Sequence, residues 1–237
     1  MAPASQLFQY STASALMAGI ASTGIRVSNL LSHGNYGLGT VANVDGEVVV
    51  VNGVAYHLQS SGDVKVLDDK QQLPFAMVAH LSSDRSLSIA GLPHKDAIRD
   101  NLLRLYPGTT NRFIIFKLEG QFDTMTARVV RGQEYPGQSL SELGEHQKVN
   151  KFEHVQGTIV GFWSPSYMDG ISVGGLHAHF LSSDNTFGGH VLALEAKGYL
   201  HLTADLLNSF HLELPETNDF DKAKLEPGGE ALKKVEG

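Results

Sequence analysis

The segment Gly175–His190, with the sequence GLHAHFLSSDNTFGGH, is typical of a β-hairpin. Apolar residues stand near both ends, and Asp184-Asn185 supplies turn-forming residues in the middle. A hairpin folded about this pair places His190 directly across from His179, with Cβ atoms about 5 Å apart. Because side chains alternate along a strand, His177 faces the same side as His179. The segment therefore predicts a β-rich structure in which three imidazoles converge.

Three imidazole donors that leave one coordination position open are typical of a catalytic Zn²⁺ site. A lone histidine in a strand is more often a half-buried, hydrogen-bonded residue, and an isolated His-x-His pair is a weak signal. The third histidine, in cross-strand register, is the observation that favours a metal. The spacing predicts that His177, His179 and His190 bind zinc in a metalloenzyme.

The composition restricts the class of protein. The 237 residues are 42% hydrophobic and 18% charged, as in an ordinary globular protein. The net charge of −7, without basic runs, argues against a nucleic-acid partner. The absence of cysteine leaves a metal site to histidine and carboxylate. There is no basic leader-like start and no apolar run of about 20 residues, so we expect a cytoplasmic protein without a membrane partner.

The pattern of strands and helices predicts an α+β fold, in two parts, built on mixed or antiparallel sheets with a few helices. The polar stretch 132–151 predicts a boundary between an N-terminal α+β domain, 1–135, and a C-terminal β-rich metal-binding domain, 136–237, that ends in a charged tail. Asp45-Gly46 and Asn52-Gly53 predict hairpin turns. A shift of 144 residues brings His33–Leu58 into line with His177–Leu202, which suggests a duplicated hairpin unit.

Several segments together resemble the α-acetolactate decarboxylase family, and they follow one another in the family's order over nearly the whole chain. They are Phe8–Thr12 (FQYST), Ala15–Gly19 (ALMAG), His33–Thr40 (HGNYGLGT), Asp45–Glu47 (DGE), Leu73–Ala76 (LPFA), Gly157–Tyr167 (GTIVGFWSPSY), Gly175–Asp184 and Gly188–Leu192 (GGHVL). The resemblance implies a zinc-dependent lyase, a homodimer, that converts the small molecule 2-acetolactate to acetoin and CO2 on the route towards butanediol.

The resemblance also implies roles for individual residues. His177, His179 and His190 match the family's zinc-binding histidines. Glu47 and Glu236 match its catalytic glutamates, Arg128 its active-site arginine that also contacts substrate, and Thr40 a threonine lining the site. The mechanism it suggests is a metal-stabilised enediolate protonated on one face. Either glutamate can donate that proton; Glu47 is preferred, with Glu236 close to the metal or the substrate.

Two other classes of protein remain open on the residues alone. A cupin-like mononuclear iron or manganese oxygenase also combines His-x-His with a later histidine. It needs an acid a few residues after the pair, where this chain offers Asp184. A non-enzymatic binding module with incidental metal would need a basic groove or an aromatic platform, which the sequence does not indicate.

Overall fold

A computed structural model describes residues 5–82, 85–145 and 147–226. The fold is α+β, as predicted, and most of it is two large sheets. The strands of the first sheet are, in spatial order, β14 (Ser209–Glu213), β1 (Gln6–Tyr10), β8 (Phe75–Ala79), β3 (Tyr36–Thr40), β4 (Glu47–Val51), β5 (Val54–Leu58) and β6 (Val64–Val66). This sheet is mixed, because β1 runs parallel to β14 and antiparallel to β8.

The second sheet is antiparallel and closes on itself. Its strands are β10 (Phe113–Val129), β11 (Lys148–Ser164), β12 (Gly175–Ser182), β13 (Gly188–Leu207) and β9 (Arg85–Leu92). Strand β10 pairs with both β11 and β13, and β12 bridges β11 and β13. The four strands β10 to β13 therefore form a ring, and β9 extends it along the end of β13.

Short elements complete the described chain. The small sheet consists of β2 (Ile25–Arg26) and β7 (Gln72–Leu73). The helices are α1 (Ala13–Met17), α2 (Val27–Leu31), α3 (Ala97–Leu105), α4 (Leu140–Gly144) and α5 (Asn218–Lys222), with 3-10 turns at Ala42–Val44 and Ser166–Met168. Helix α1 starts where the Thr12 hydroxyl accepts a hydrogen bond from the Ala15 amide, at 3.1 Å.

The two large sheets pack face to face through a shared apolar core. The first sheet contributes one face of alternating residues from β1, β3, β4 and β8, and the ring contributes residues from β10, β11, β12 and β13. Members of this core include Leu7, Leu38, Val49, Met77, Ile115, Val160, Phe162, Leu181 and Leu207. Because alternation is strict along β3 and β4, Thr40 and Glu47 lie on the face that meets the ring.

Both predicted turns lie in β-hairpins, but only one of them is a two-residue turn. Asn52 and Gly53 join Val51 to Val54 as a two-residue turn, with φ of +52° and +77°, the positive values that a type I′ turn requires. Asp45-Gly46 lies in the hairpin that joins β3 to β4, but the connection is longer than two residues. It spans residues 41–46 and contains the 3-10 turn Ala42–Val44.

Two further sequence interpretations concern larger units. The division into 1–135 and 136–237 stays a prediction; strand pairing crosses it, since β10 joins the ring and β14 joins β1. The duplicated hairpin has no support in the register. Gly37 pairs with Val50, and the 144-residue shift would pair Leu181 with Leu194, whereas Leu181 pairs with Gly188.

Candidate active site

The three histidines meet on the ring face that packs against the first sheet. His179 and His190 are direct cross-strand partners, which confirms the register predicted from the hairpin. The ring centroids of His177, His179 and His190 lie 5.1–5.4 Å from one another. One nitrogen from each lies within 4.8 Å of the others, and all three side chains are buried. The side chains thus form a nearly equilateral platform of nitrogen donors.

Burial keeps these imidazoles neutral. Desolvation, with smaller effects from neighbouring charges, lowers the pKa of His177 and His190 well below the ordinary value of 6.5. Burial likewise lowers the pKa of His179 to about 3, against a hydrogen bond to the Val48 backbone that raises it. A neutral imidazole nitrogen has the lone pair that a metal ligand needs. The histidines are therefore suited to binding a cation at neutral pH.

The tautomer of His179 is fixed by the first sheet. Its Nδ1 lies 2.7 Å from the Val48 carbonyl oxygen in β4. A carbonyl only accepts, so Nδ1 carries the proton and Nε2 has the lone pair. This buried Nε2 makes no hydrogen bond within the described residues. A backbone carbonyl that orients the far nitrogen is the usual support of a histidine metal ligand, so the donor set fits a metal ion.

A buried ion pair stands beside the platform. Arg128 in β10 is the cross-strand partner of His190 and is 1% exposed. Its Nη1 lies 3.1 Å from Oε1 of Glu47, and the other carboxylate oxygen, Oε2, lies 3.5 Å from His179 Nε2. The carboxylate therefore links the guanidinium to the histidines across the two sheets. The structure thus brings Glu47 and Arg128 together beside the three histidines.

Thr40 also reaches the site. Its hydroxyl donates a hydrogen bond to the Gly46 carbonyl at 2.7 Å, in the connection that leads to Glu47. A small cavity of about 20 Å³ lies here, and its lining includes apolar residues that the sequence did not single out. The lining residues are Ala13, Leu16, Gly39, Thr40, Glu47, Phe75, Val173, His177 and His179. Apolar walls around a few polar groups are typical of a small-molecule site.

Two candidates remain, Glu236 and Asp184. Glu236 lies outside the described residues; the last described residue, Glu226, accepts a hydrogen bond at its carbonyl from the Ser14 hydroxyl in α1, at 2.6 Å. Asp184, the acid that a cupin-like site would need, accepts hydrogen bonds from Ser182 and Thr186 in its own turn. It is exposed and is not part of the histidine cluster.

No helix in the described ranges is long and apolar enough to cross a membrane.

Comparisons with known proteins identify the family of this chain. The family model for alpha-acetolactate decarboxylase matches residues 7–227. The alpha-acetolactate decarboxylase of Methanosarcina mazei is 35% identical over 232 residues, which cover 97% of this chain and 80% of the relative. That of Brevibacillus brevis is 33% identical, covering 94% and 78%.

A solved structure agrees as well. The crystal structure of alpha-acetolactate decarboxylase from Bacillus subtilis strain 168 superposes with a TM-score of 0.93 at 29% identity, covering 98% of this chain and 99% of the other. The family match spans nearly the whole chain, and the fold agrees over the same length. The chain belongs to the α-acetolactate decarboxylase family and is a decarboxylating enzyme that acts on acetolactate.

Proposed function

We propose that the enzyme is zinc-dependent and that it converts 2-acetolactate to acetoin and CO2 with Glu47 and Arg128 as catalytic residues. The observation that carries this proposal is the buried contact of Glu47 with both Arg128 and His179, at 3.1 and 3.5 Å. It places a carboxylate and a permanent cation beside three neutral nitrogen donors. A decarboxylase of this substrate needs those groups together.

The chemistry explains why. Loss of CO2 leaves an electron pair on the carbon next to the ketone, and the ketone oxygen must receive it. When bound, Zn²⁺ supplies Lewis-acid polarisation of that ketone. His177, His179 and His190 would hold it, because their nitrogens converge within 4.8 Å and are kept neutral by burial. Three histidines leave a coordination position open for substrate oxygens.

Arg128 supplies the fixed positive charge. A guanidinium stays protonated at any working pH and presents several donors in one plane. Nη1 is engaged with Glu47, and the side chain is buried on the histidine face. In a water-poor site, such a charge can orient the substrate carboxylate and stabilise negative charge that develops on oxygen. We expect Arg128 to contribute to both substrate binding and turnover.

Glu47 is the group we propose to deliver the proton. Arg128 holds Oε1, so Oε2 is the oxygen on the histidine side and the atom that would carry the proton. The carboxylate of the pair would take up a proton from solvent and would then donate it to the carbon that has lost CO2, which restores the ion pair with Arg128. Because Glu47 comes from the first sheet and the histidines from the ring, the donor approaches from one fixed side. Protonation from one side gives one enantiomer of acetoin.

Thr40 and Glu236 complete the proposal. The Thr40 hydroxyl lines the pocket and holds the connection that leads to Glu47. On the family resemblance, we propose that Glu236 acts close to the metal or the substrate.

The test is an assay of CO2 and acetoin from racemic acetolactate, with metal-free and zinc-loaded protein and with Glu47→Gln. We expect turnover only with metal, zinc as the tightly bound element in elemental analysis, and a loss of at least about 100-fold in kcat for the variant. Full turnover without metal, or a fully active Glu47→Gln protein, would contradict the proposal. A homodimer and a cytoplasmic location stay predictions; size-exclusion chromatography with light scattering tests the dimer.

A further inference from the structure

Glu47 follows a backbone segment that adopts unfavourable conformations. In the connection 41–46, Asn43 and Val44 have φ of +62° and +55°, and Gly46 has +103°. A positive φ is uncommon for residues other than glycine and is an outlier for a β-branched residue such as Val44. Such conformations persist only where surrounding contacts enforce them. The contacts around this connection are therefore part of how Glu47 is aimed.

Three side chains bind backbone carbonyls on either side of Glu47. His57 Nε2 lies 2.5 Å from the Asp45 carbonyl oxygen, and the Thr40 hydroxyl binds the Gly46 carbonyl. On the C-terminal side of Glu47, His179 Nδ1 donates to the Val48 carbonyl. Because the Asp45 carbonyl can only accept, His57 must carry its proton on Nε2. The peptide groups before and after Glu47 are thus fixed by donors from β3, β5 and the ring.

His57 fits closely against this connection. It lies in β5 as the cross-strand partner of Val48 and is 6% exposed. A Cβ added at Gly46 would lie 2.8 Å from His57 Nε2 and 2.5 Å from the Leu58 carbonyl oxygen. The imidazole therefore both donates to the connection and limits its path. Among the described residues, the lining of the pocket includes Glu47 but not His57.

We infer that His57 is a positioning residue for the decarboxylation: its Nε2–H fixes the Asp45 carbonyl and so holds the Glu47 carboxyl at the histidine platform. The inference rests on the proposed role of Glu47. A shift of about 1 Å in a reacting group can cost about 100-fold in rate. Loss of this single hydrogen bond should thus reduce turnover although His57 does not touch the pocket.

A matched pair of variants tests it. His57→Gln keeps an amide donor near the position of Nε2, whereas His57→Leu keeps apolar volume without a donor. In zinc-loaded protein we expect His57→Leu to lower kcat about 10- to 100-fold, with KM changed less than about threefold. The enantiomeric excess of acetoin should fall, because a misplaced Glu47 lets water protonate the other face. His57→Gln should stay within about threefold of the unmodified enzyme, and bound zinc should be unchanged in both.

Controls separate positioning from general destabilisation. Val50→Ala removes buried volume from the opposite face of β4, away from the site. It should lower the melting temperature and leave kcat and enantiomeric excess unchanged. If His57→Leu does not fold, His57→Asn replaces it, since its amide is too short to reach Asp45, and the same loss is expected.

The outcomes distinguish the two proposals. Normal kcat and enantiomeric excess in His57→Leu, beside an inactive Glu47→Gln, would overturn the role of His57 and keep that of Glu47. Equal losses in His57→Gln and His57→Leu would also overturn it, because the donor would then not matter. A fully active Glu47→Gln would overturn both proposals.

Discussion

The buried pair of Glu47 and Arg128 should be strongly coupled in stability. At 3.1 Å, two unit charges interact with about 5 kcal/mol when the effective dielectric constant is about 20. Desolvation offsets much of this, so the intact pair contributes little net stability. Removal of one partner is different, because it leaves the other charge buried. We expect Arg128→Met and Glu47→Gln each to lower the free energy of unfolding by about 3–5 kcal/mol.

The double variant separates pairing from packing. The double variant removes both charges of the pair, so it should lose less than the sum of the single losses. We expect the difference to be about 2 kcal/mol or more, near the upper end for contacting residues. The assay is urea unfolding of metal-free protein, followed by circular dichroism and by the fluorescence of the single tryptophan, Trp163 in β11.

The chain offers a matched control pair. Lys197 and Glu195 approach to 3.6 Å, and their side chains are 75% and 43% exposed. An exposed pair of this kind contributes little, so its cycle should show a coupling below about 1 kcal/mol. Additive losses for Glu47 and Arg128, within about 0.5 kcal/mol, would refute the buried pair and remove the basis for assigning the proton to Oε2.

Three further predictions concern the metal, pH and the tail. His179→Ala should leave a folded protein that loses zinc by dialysis, measured by elemental analysis, and makes no acetoin; normal turnover would contradict the platform. The metal-free protein should lose stability as the pH falls from about 6.5 to 3, because the unfolded histidines take up protons while folded His179, with a pKa of about 3, stays neutral. Each such histidine adds a slope of about 1.4 kcal/mol per pH unit, and a urea midpoint independent of pH over this range would disprove it. Truncation after Glu226, which removes Glu236, should reduce kcat far more than the melting temperature; equal rates would assign the tail no catalytic role.

The hairpin register and the convergence of the histidines were predictable from the sequence alone. A period of two residues and a turn at Asp184-Asn185 determine which side chains meet, and the pairing of His179 with His190 follows. Asn52-Gly53 was predictable for the same local reason, since both residues tolerate positive φ.

The position of Arg128 was not predictable from strand alternation. Ile115 in β10 faces the first sheet. Strict alternation from Ile115 would make Ala127, rather than Arg128, face the first sheet as well. In the structure Phe122 and Met125, an odd number of residues apart, join the same cluster, so the alternation changes between them. Arg128 then faces the histidines. The cause is an irregular stretch of pairing, which a single sequence does not reveal.

Glu47 was identified through the family resemblance and not through local pattern. A glutamate after Asp-Gly is usually solvated, and the expected tight turn would have left it so. The longer connection, with its positive φ values and carbonyls held by Thr40 and His57, turns the side chain inward. These contacts join residues that are distant along the chain, so they depend on tertiary packing.

The hydrogen bond from His179 to Val48 has a consequence for how metal affects the rest of the molecule. The histidine belongs to the ring, and the carbonyl belongs to the first sheet, which supplies none of the three histidines. A ligand that binds only the folded state adds about 2.7 kcal/mol of stability at 100 times its dissociation constant. The tautomer of His179 that binds metal needs the Val48 carbonyl in place. Metal binding therefore stabilises the contact between the ring and the first sheet as well as the ring itself. Metal should therefore slow amide hydrogen exchange in β4 as well as in β12. Exchange in the first sheet would then depend on whether metal is bound, although that sheet supplies none of the three histidines.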